Sequence, residues 1–271
     1  MKRPRLAASL AGCAVAMLAT GAQAQGNAAD EIAKYRQMLQ DGNPAELLII
    51  RGEELWKQKR GPKGASLEQC DLGLGAGVVK GAYAQLPRHF ADTNQVMDFE
   101  ARLVHCMVTL QGFDRAAVTK SPFSGAGQRA TDIESITTFV VEQSRGVPVK
   151  ISQSHPMERA AFERGRQLFY MRGGPYDFSC ATCHAGDNTR IRLQDLPNLT
   201  KQAGAQLAYT GWPAYRVSQG ELRTFQWRLN DCFRQQRFPE LKFTSDASIA
   251  LTAFLARNAN GAEFKAPTIK R

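Results

Sequence analysis

Cys180, Cys183 and His184 spell C-x-x-C-H within "DFSCATCHAG", residues 177–186. Two thiols at this spacing can form thioethers to the two vinyl groups of one haem. The histidine that follows then lies under the iron as its proximal ligand. Two other chemistries use such a pair. A redox dithiol opens a helix in a thioredoxin-like βαβ pattern, which the flanking sequence does not supply. A zinc site needs two further ligands, and the chain holds neither a second C-x-x-C nor an H-x-x-x-H. The motif therefore predicts one covalently bound haem c.

The far face of the iron needs its own ligand. Class I cytochromes supply Met or His from downstream. Of the seven methionines and four histidines, none follows His184. The soft ligand downstream is Cys232, so His184/Cys232 axial ligation is expected, with Cys232 as thiolate. Lys242 or an open position is the alternative. Arg228 stands at i−4 from Cys232 and would share its face on a helix. A guanidinium there can hold an oxyanion and lower the thiol pKa. A surface position or a haem-propionate contact would suit it equally.

These side chains need elements to hold them, and the chain writes its elements twice. "RGEELWKQKRGPKGASLEQC" (51–70) aligns without a gap on "RGRQLFYMRGGPYDFSCATC" (164–183). "FEARLVHC" (99–106) matches "FQWRLNDC" (225–232), and "TTFVVEQSRG" (137–146) matches "TAFLARNANG" (252–261). Three collinear matches argue for an internal duplication. A helix is expected from Pro156, with Phe162, Leu168 and Phe169 inward and Gly173-Gly174-Pro175 as its stop. Phe225, Leu229 and Phe233 make a helical stripe, and Ile249, Leu251, Phe254 and Leu255 suit a closing helix. Residues 187–220, rich in Gly, Pro, Asn and Gln, are expected to be irregular and to wrap a cofactor. Convincing strands are few. The fold expected is mainly α, a tandem duplication of a class I cytochrome c-like domain. Its boundary lies near residue 150, giving domains 25–150 and 151–271.

The first copy keeps half the site. Cys180 falls on Leu67, Cys183 on Cys70 and His184 on Asp71, so this copy is expected to lack haem. Cys70 and Cys106, left without haem between them, are expected to pair as a disulfide in an oxidising compartment. Arg102, the counterpart of Arg228, is expected to be structural. His89, His105 and His155 lack ligand spacing and read as surface or packing residues.

Of the 271 residues, 43% are apolar and 22% charged, the composition of a globular chain that can bury a core. Lys2, Arg3 and Arg5, the apolar run to Thr20, and Ala22-Gln23-Ala24 read as a secretory signal peptide over residues 1–24, directing the chain to the periplasm. A lipoprotein box at Leu10-Ala11-Gly12-Cys13 is the competing reading. No other run reads as a membrane helix. The net charge of +10 suits anionic small molecules or acidic partners, or only a solvated surface; an exported chain has little occasion to meet nucleic acid.

The duplicated plan, the single C-x-x-C-H in the second copy and "RLNDCFRQQRFPE" around Cys232 resemble the SoxA family, cytochrome subunits of the bacterial thiosulfate-oxidising system, in its single-haem form. The resemblance implies a heterodimer with a small SoxX-type cytochrome c. It implies an L-cysteine S-thiosulfotransferase that couples thiosulfate to a cysteine of the SoxYZ carrier, with electrons passing to a c-type cytochrome. It also implies that Cys232 is both ligand and active-site sulfur, found as a persulfide, and that Arg228 positions the anion. A plain electron carrier, a tetrathionate-forming thiosulfate dehydrogenase and a docking scaffold are the rival readings.

Overall fold

The protein's structure, a computed structural model, describes residues 30, 34–35, 38–39, 41–191 and 194–270. The signal segment expected over residues 1–24 lies outside them. Residues 44–271 form one compact unit, to which every element below belongs.

Two helix crossings organise this unit. Helix α1 (Ala45–Lys57) packs against α4 (Asp132–Glu142), and α5 (Pro156–Tyr170) packs against α9 (Asp246–Asn258). Each crossing closes on a glycine. A Cβ at Gly52 would lie 2.1 Å from the Ser135 carbonyl oxygen and 2.8 Å from Phe139 Cβ. A Cβ at Gly165 would lie 1.9 Å from the Ala250 carbonyl oxygen and 2.8 Å from Phe254 Cβ. Backbone thus touches backbone, and any side chain would wedge the helices apart. Phe169 and Phe254 pack ring to ring above the second crossing, at 5.2 Å between centroids.

Local chemistry sets the helix starts. Thr131 and Glu134 form a capping box at α4. His155 caps α5 by accepting the Met157 N–H at Nδ1, and Pro156 follows in the first turn. The expected stop of α5 is observed: Met171 leaves the helix in extended conformation, and Gly174 adopts a φ of 68°. The paired motifs become α2 (Phe99–Thr109) and α8 (Phe225–Gln235), capped by Asp98 and Thr224. A five-residue helix, α3, spans Arg115–Thr119. The expected inward positions Phe225, Leu229 and Phe233 are buried, as are Ile249, Leu251, Phe254 and Leu255.

Strands among the described residues are two or three residues long. β1 (Arg88–Phe90) pairs with β2 (Gln95–Met97). The haem motif itself forms α6 (Cys180–His184), and β3 (Arg190–Ile191) pairs with β4 (Gln194–Asp195). Residues 187–220 are not wholly irregular as expected. They include β3, β4, α7 (Gln202–Tyr209) and β5 (Ala214–Arg216). Ala203, Ala205 and Ala208 favour α7, while the surrounding Gly, Pro and Asn conceal it in composition. β5 lies between β6 (Glu221–Arg223), antiparallel, and β7 (Thr268–Lys270), parallel.

Gly165→Ala tests the crossing that precedes the haem motif. Overpacking at backbone contact is expected to cost about 2–3 kcal/mol, read as a lower denaturation midpoint, whereas an unchanged midpoint would mean that α5 and α9 are not in contact.

Candidate functional site

The site begins where α5 ends. Ser179 caps α6 by accepting the Thr182 N–H, and Thr182 returns the bond to the Ser179 N–H. The motif is thus set as a single tight turn. His184 Nδ1–H donates to the Pro197 carbonyl at 3.0 Å, which fixes the ring and leaves the Nε2 lone pair free. Burial holds the imidazole below its ordinary pKa and Arg228 adds to this, although the Pro197 bond acts the other way. A neutral imidazole is the form that binds iron. The segment after the motif is pinned back on it by Leu199 N–H to the His184 carbonyl and by the Asn198 amide to the Ala185 carbonyl.

Helix α8 supplies the other side. Cys232, Cys183 and Cys180 stand close enough that each of the first two acts on the titration of another. Burial pushes the Cys180 thiol up to about 12, with Cys232 contributing. Burial also pushes the Cys232 thiol up; Arg228 opposes this, Asp231 and Cys183 reinforce it, and Arg216 opposes it again. Arg228 therefore faces both His184 and Cys232, as the i, i+4 spacing anticipates. Lys242, the alternative ligand, is exposed.

Three residues of the site escaped sequence reasoning. Asp231 is buried and accepts from Arg228 at 2.9 Å, from Arg234 at 2.6 Å and from Gln235 at 2.7 Å. Arg216 and Lys270 are partners in register across β5 and β7. Burial lowers the pKa of each, and Arg228 lowers both further. Lys270 sits over the Trp212 ring at 5.7 Å, and Gly211 leaves it room, since a Cβ there would lie 2.8 Å from Nζ. Arg216 Nε is buried without a hydrogen-bond partner among the described residues. Arg228 and Arg216 thus act on Cys232, with Lys270 acting on both of them, and the buried Asp231 is shared between Arg228 and Arg234, a balance that favours an anion.

The donor set fits haem c. It offers two thiols on one turn, a neutral imidazole with Nε2 free, and a facing thiol. Tyr170, Met171, Tyr176 and Phe178, which lead into Cys180, expose apolar surface of the kind a porphyrin covers. An orphaned buried guanidinium nitrogen suits a propionate or another anion.

The counterpart space in the first half is built differently. Cys70 and Cys106 are joined by a disulfide, as expected, with their Cα atoms 5.7 Å apart. Arg102 is structural: it donates from Nε to the Asp71 carbonyl, from Nη1 to Asp92, and lies 4.2 Å over the Phe90 ring. A cleft of about 600 Å³ remains beside the disulfide. His89 and His155 stack at 3.7 Å, and His105 lies 3.7 Å from Asp92. All three act in packing or capping. Replacing Cys70 and Cys106 with serine opens the loop between them and is expected to cost about 4 kcal/mol by chain entropy, measured by denaturant titration; a loss below about 1 kcal/mol would mean that other contacts already close the loop.

Comparison with known proteins follows this geometry. The family described as SoxA/TsdA, cytochrome c domain, matches twice, over residues 51–149 and 164–264. The L-cysteine S-thiosulfotransferase subunit SoxA of Hydrogenophilus thermoluteolus is 52% identical over 89% of this chain and 87% of its own. The subunit of the same name from Hydrogenobacter thermophilus is 32% identical over 91% of each chain. The crystal structure of SoxXA from P. pantotrophus shares the fold, with a TM-score of 0.71 and 24% identity, over 88% of this chain and 84% of that one. The chain belongs to the SoxA/TsdA cytochrome c family, alongside the curated SoxA subunits of L-cysteine S-thiosulfotransferase.

Proposed function

We propose that this chain is the catalytic cytochrome subunit of an L-cysteine S-thiosulfotransferase. The observation that carries the reading is the meeting of His184, Cys232, Arg228 and Arg216, in a chain half identical to a SoxA subunit. One haem c is held through Cys180 and Cys183, with His184 and Cys232 as axial ligands. The first domain, residues 25–150, is a degenerate copy without haem, and residues 151–271 are the haem-bearing copy. The two glycine-closed crossings support this duplication. The chain works in the periplasm after removal of residues 1–24; no helix among the described residues is long and apolar enough to cross a membrane. A small SoxX-type cytochrome completes a heterodimer.

In the reaction, the sulfane sulfur of thiosulfate becomes bonded to a carrier cysteine of SoxYZ. The thiol proton and two electrons leave, and a c-type cytochrome receives the electrons. Haem c, when bound, supplies one-electron acceptance. The chain's own residues do the rest. Arg228, Arg216 and Lys270 draw in the thiosulfate dianion and orient its oxygens. Asp231 holds Arg228 in place through its Nη1. Cys232 joins its sulfur to the sulfane sulfur as two electrons leave toward cytochrome, and the carrier thiolate then takes the sulfane sulfur with its sulfonate and releases Cys232 as thiolate; a persulfide at Cys232 forms where its thiolate instead displaces sulfite from the sulfane sulfur. A two-electron coupling exceeds what one haem accepts, which is why a cytochrome partner is needed.

Cys232→Met separates the transferase from a plain carrier. The variant is expected to keep its haem and to exchange electrons with cytochrome, yet to conjugate no thiosulfate to the carrier. Arg228→Ala is expected to lower kcat/KM for thiosulfate by about 100-fold. Full conjugation by Cys232→Met would overturn the reading, and tetrathionate as the product would favour a thiosulfate dehydrogenase.

A further inference from the structure

The buried groups that the chemistry above leaves unused gather at the start of α8. Asp98 and Glu100 are 2% and 1% exposed. They stand at the first turn of α2, and that turn faces the first turn of α8. Asp98 Oδ1 accepts the Ala101 N–H of its own helix, and Oδ2 accepts from Gln226 Nε2 at 2.5 Å. Gln226 Oε1 in turn accepts the Thr244 N–H at 2.9 Å. The Glu100 carboxyl is buried beside them, where Thr224 and the Gln226 backbone favour its charged form against the penalty of burial. Its Oε1 is buried without a partner among the described residues. Two helix N-termini, each with a positive dipole end, are thus joined through the Asp98 carboxyl, with the buried Glu100 carboxyl beside it. In the aligned motifs Asp98 stands where Thr224 stands and Glu100 where Gln226 stands. Asp98 and Gln226 join the two helix starts, and only the α2 side carries acids.

We propose that Asp98 and Glu100 are positioning residues for Cys232, acting on the first turn of α8. Cys232 lies on the same rigid helix as Gln226, about 9 Å further along its axis. A shift of the first turn is therefore delivered to the sulfur. The inference rests on the reading of Cys232 as the iron's ligand. The titratable groups that face Glu100 are Asp98 at the same helix start, Tyr83 from the turn Tyr83–Gln85, and Tyr209 from α7. Both tyrosines are buried and held protonated by burial, so neither relieves the acids.

The sign follows from burial. Burial raises Asp98 to about 6 and Glu100 to about 8, with the Asp98 charge adding to the rise of Glu100. A raised carboxyl contributes stability that is full below its unfolded pKa and is lost as pH climbs through the folded one. The hold on α8 is therefore firm in acid and weakens as pH passes through about 8, where the second negative charge forms in an apolar site.

The test uses the haem-loaded protein. Hydrogen exchange of the peptide covering residues 224–235, corrected for intrinsic rates, and the ferric haem electron-paramagnetic spectrum are followed from about pH 6 to about pH 9.5. In the wild type, exchange is expected to quicken and the thiolate-ligated signal to change as pH passes through about 8. Glu100→Gln, which keeps the shape and cannot lose the proton, is expected to hold the acid-form spectrum and protection across the range. Glu100→Ala is expected to exchange about tenfold faster at every pH, the change that loss of one helix cap carries. A Glu100→Gln profile that follows the wild type, or a wild type flat across the range, overturns the proposal whether or not Glu100→Ala folds. A wild type with no thiolate signal at acid pH overturns the ligand reading instead, and the exchange profile still decides the positioning role.

Discussion

Cys232 and His184 come from different helices, and the site exists only while both are held toward one space. On the cysteine side the hold is the buried start of α8. Thr224 caps the helix, Asp98 accepts from Gln226 in its first turn beside the buried Glu100, and Gln226 ties that turn to Thr244. On the histidine side the hold is the contact of α5 with α9 at Gly165, followed directly by the capped turn of α6 and the bond from His184 to Pro197. Neither hold is an interaction with the cofactor. On the proposed ligation, the protein sets the distance between the two ligands by packing and hydrogen bonds of its own, which is how a fold imposes a chosen ligand pair on iron.

Charge completes the arrangement. Arg228 and Arg216 lie near a sulfur that burial disfavours as thiolate, Lys270 stands in register with Arg216, and Asp231 offsets only part of their charge. Each cation is itself partly desolvated, so their mutual repulsion is poorly screened. A dianion relieves that repulsion. A solvated monovalent anion relieves less of it, so the proposed role of the cluster in drawing in thiosulfate brings discrimination by charge with it.

The parts legible in the sequence were those carried by local spacing. C-x-x-C-H, Cys232 with Arg228 at i−4, the capped helices and the Cys70–Cys106 pairing all follow from residues close in sequence or from the repeat. The rest depends on distant pairing. Arg216 and Lys270 meet because β5 and β7 run parallel in register, and nothing near either residue announces it. Helix α7 was hidden by glycine, although Gly204 is there for a tertiary reason: a Cβ would lie 2.0 Å from the Asn198 carbonyl oxygen. Glu100 reads as an ordinary first-turn acid of α2, and only the fold shows that it lies buried beside the start of another helix. Asp231 was legible in type but not in role, because its bond to Arg228 depends on burial.

The measurement that bears most directly on the account is mass mapping of the peptide containing Cys232 in the purified protein, before and after thiosulfate and an oxidised cytochrome. The account predicts a peptide heavier by whole sulfur atoms, with the added mass responding to thiosulfate. An unmodified thiol under every condition would contradict sulfur chemistry at Cys232 and leave it only a ligand.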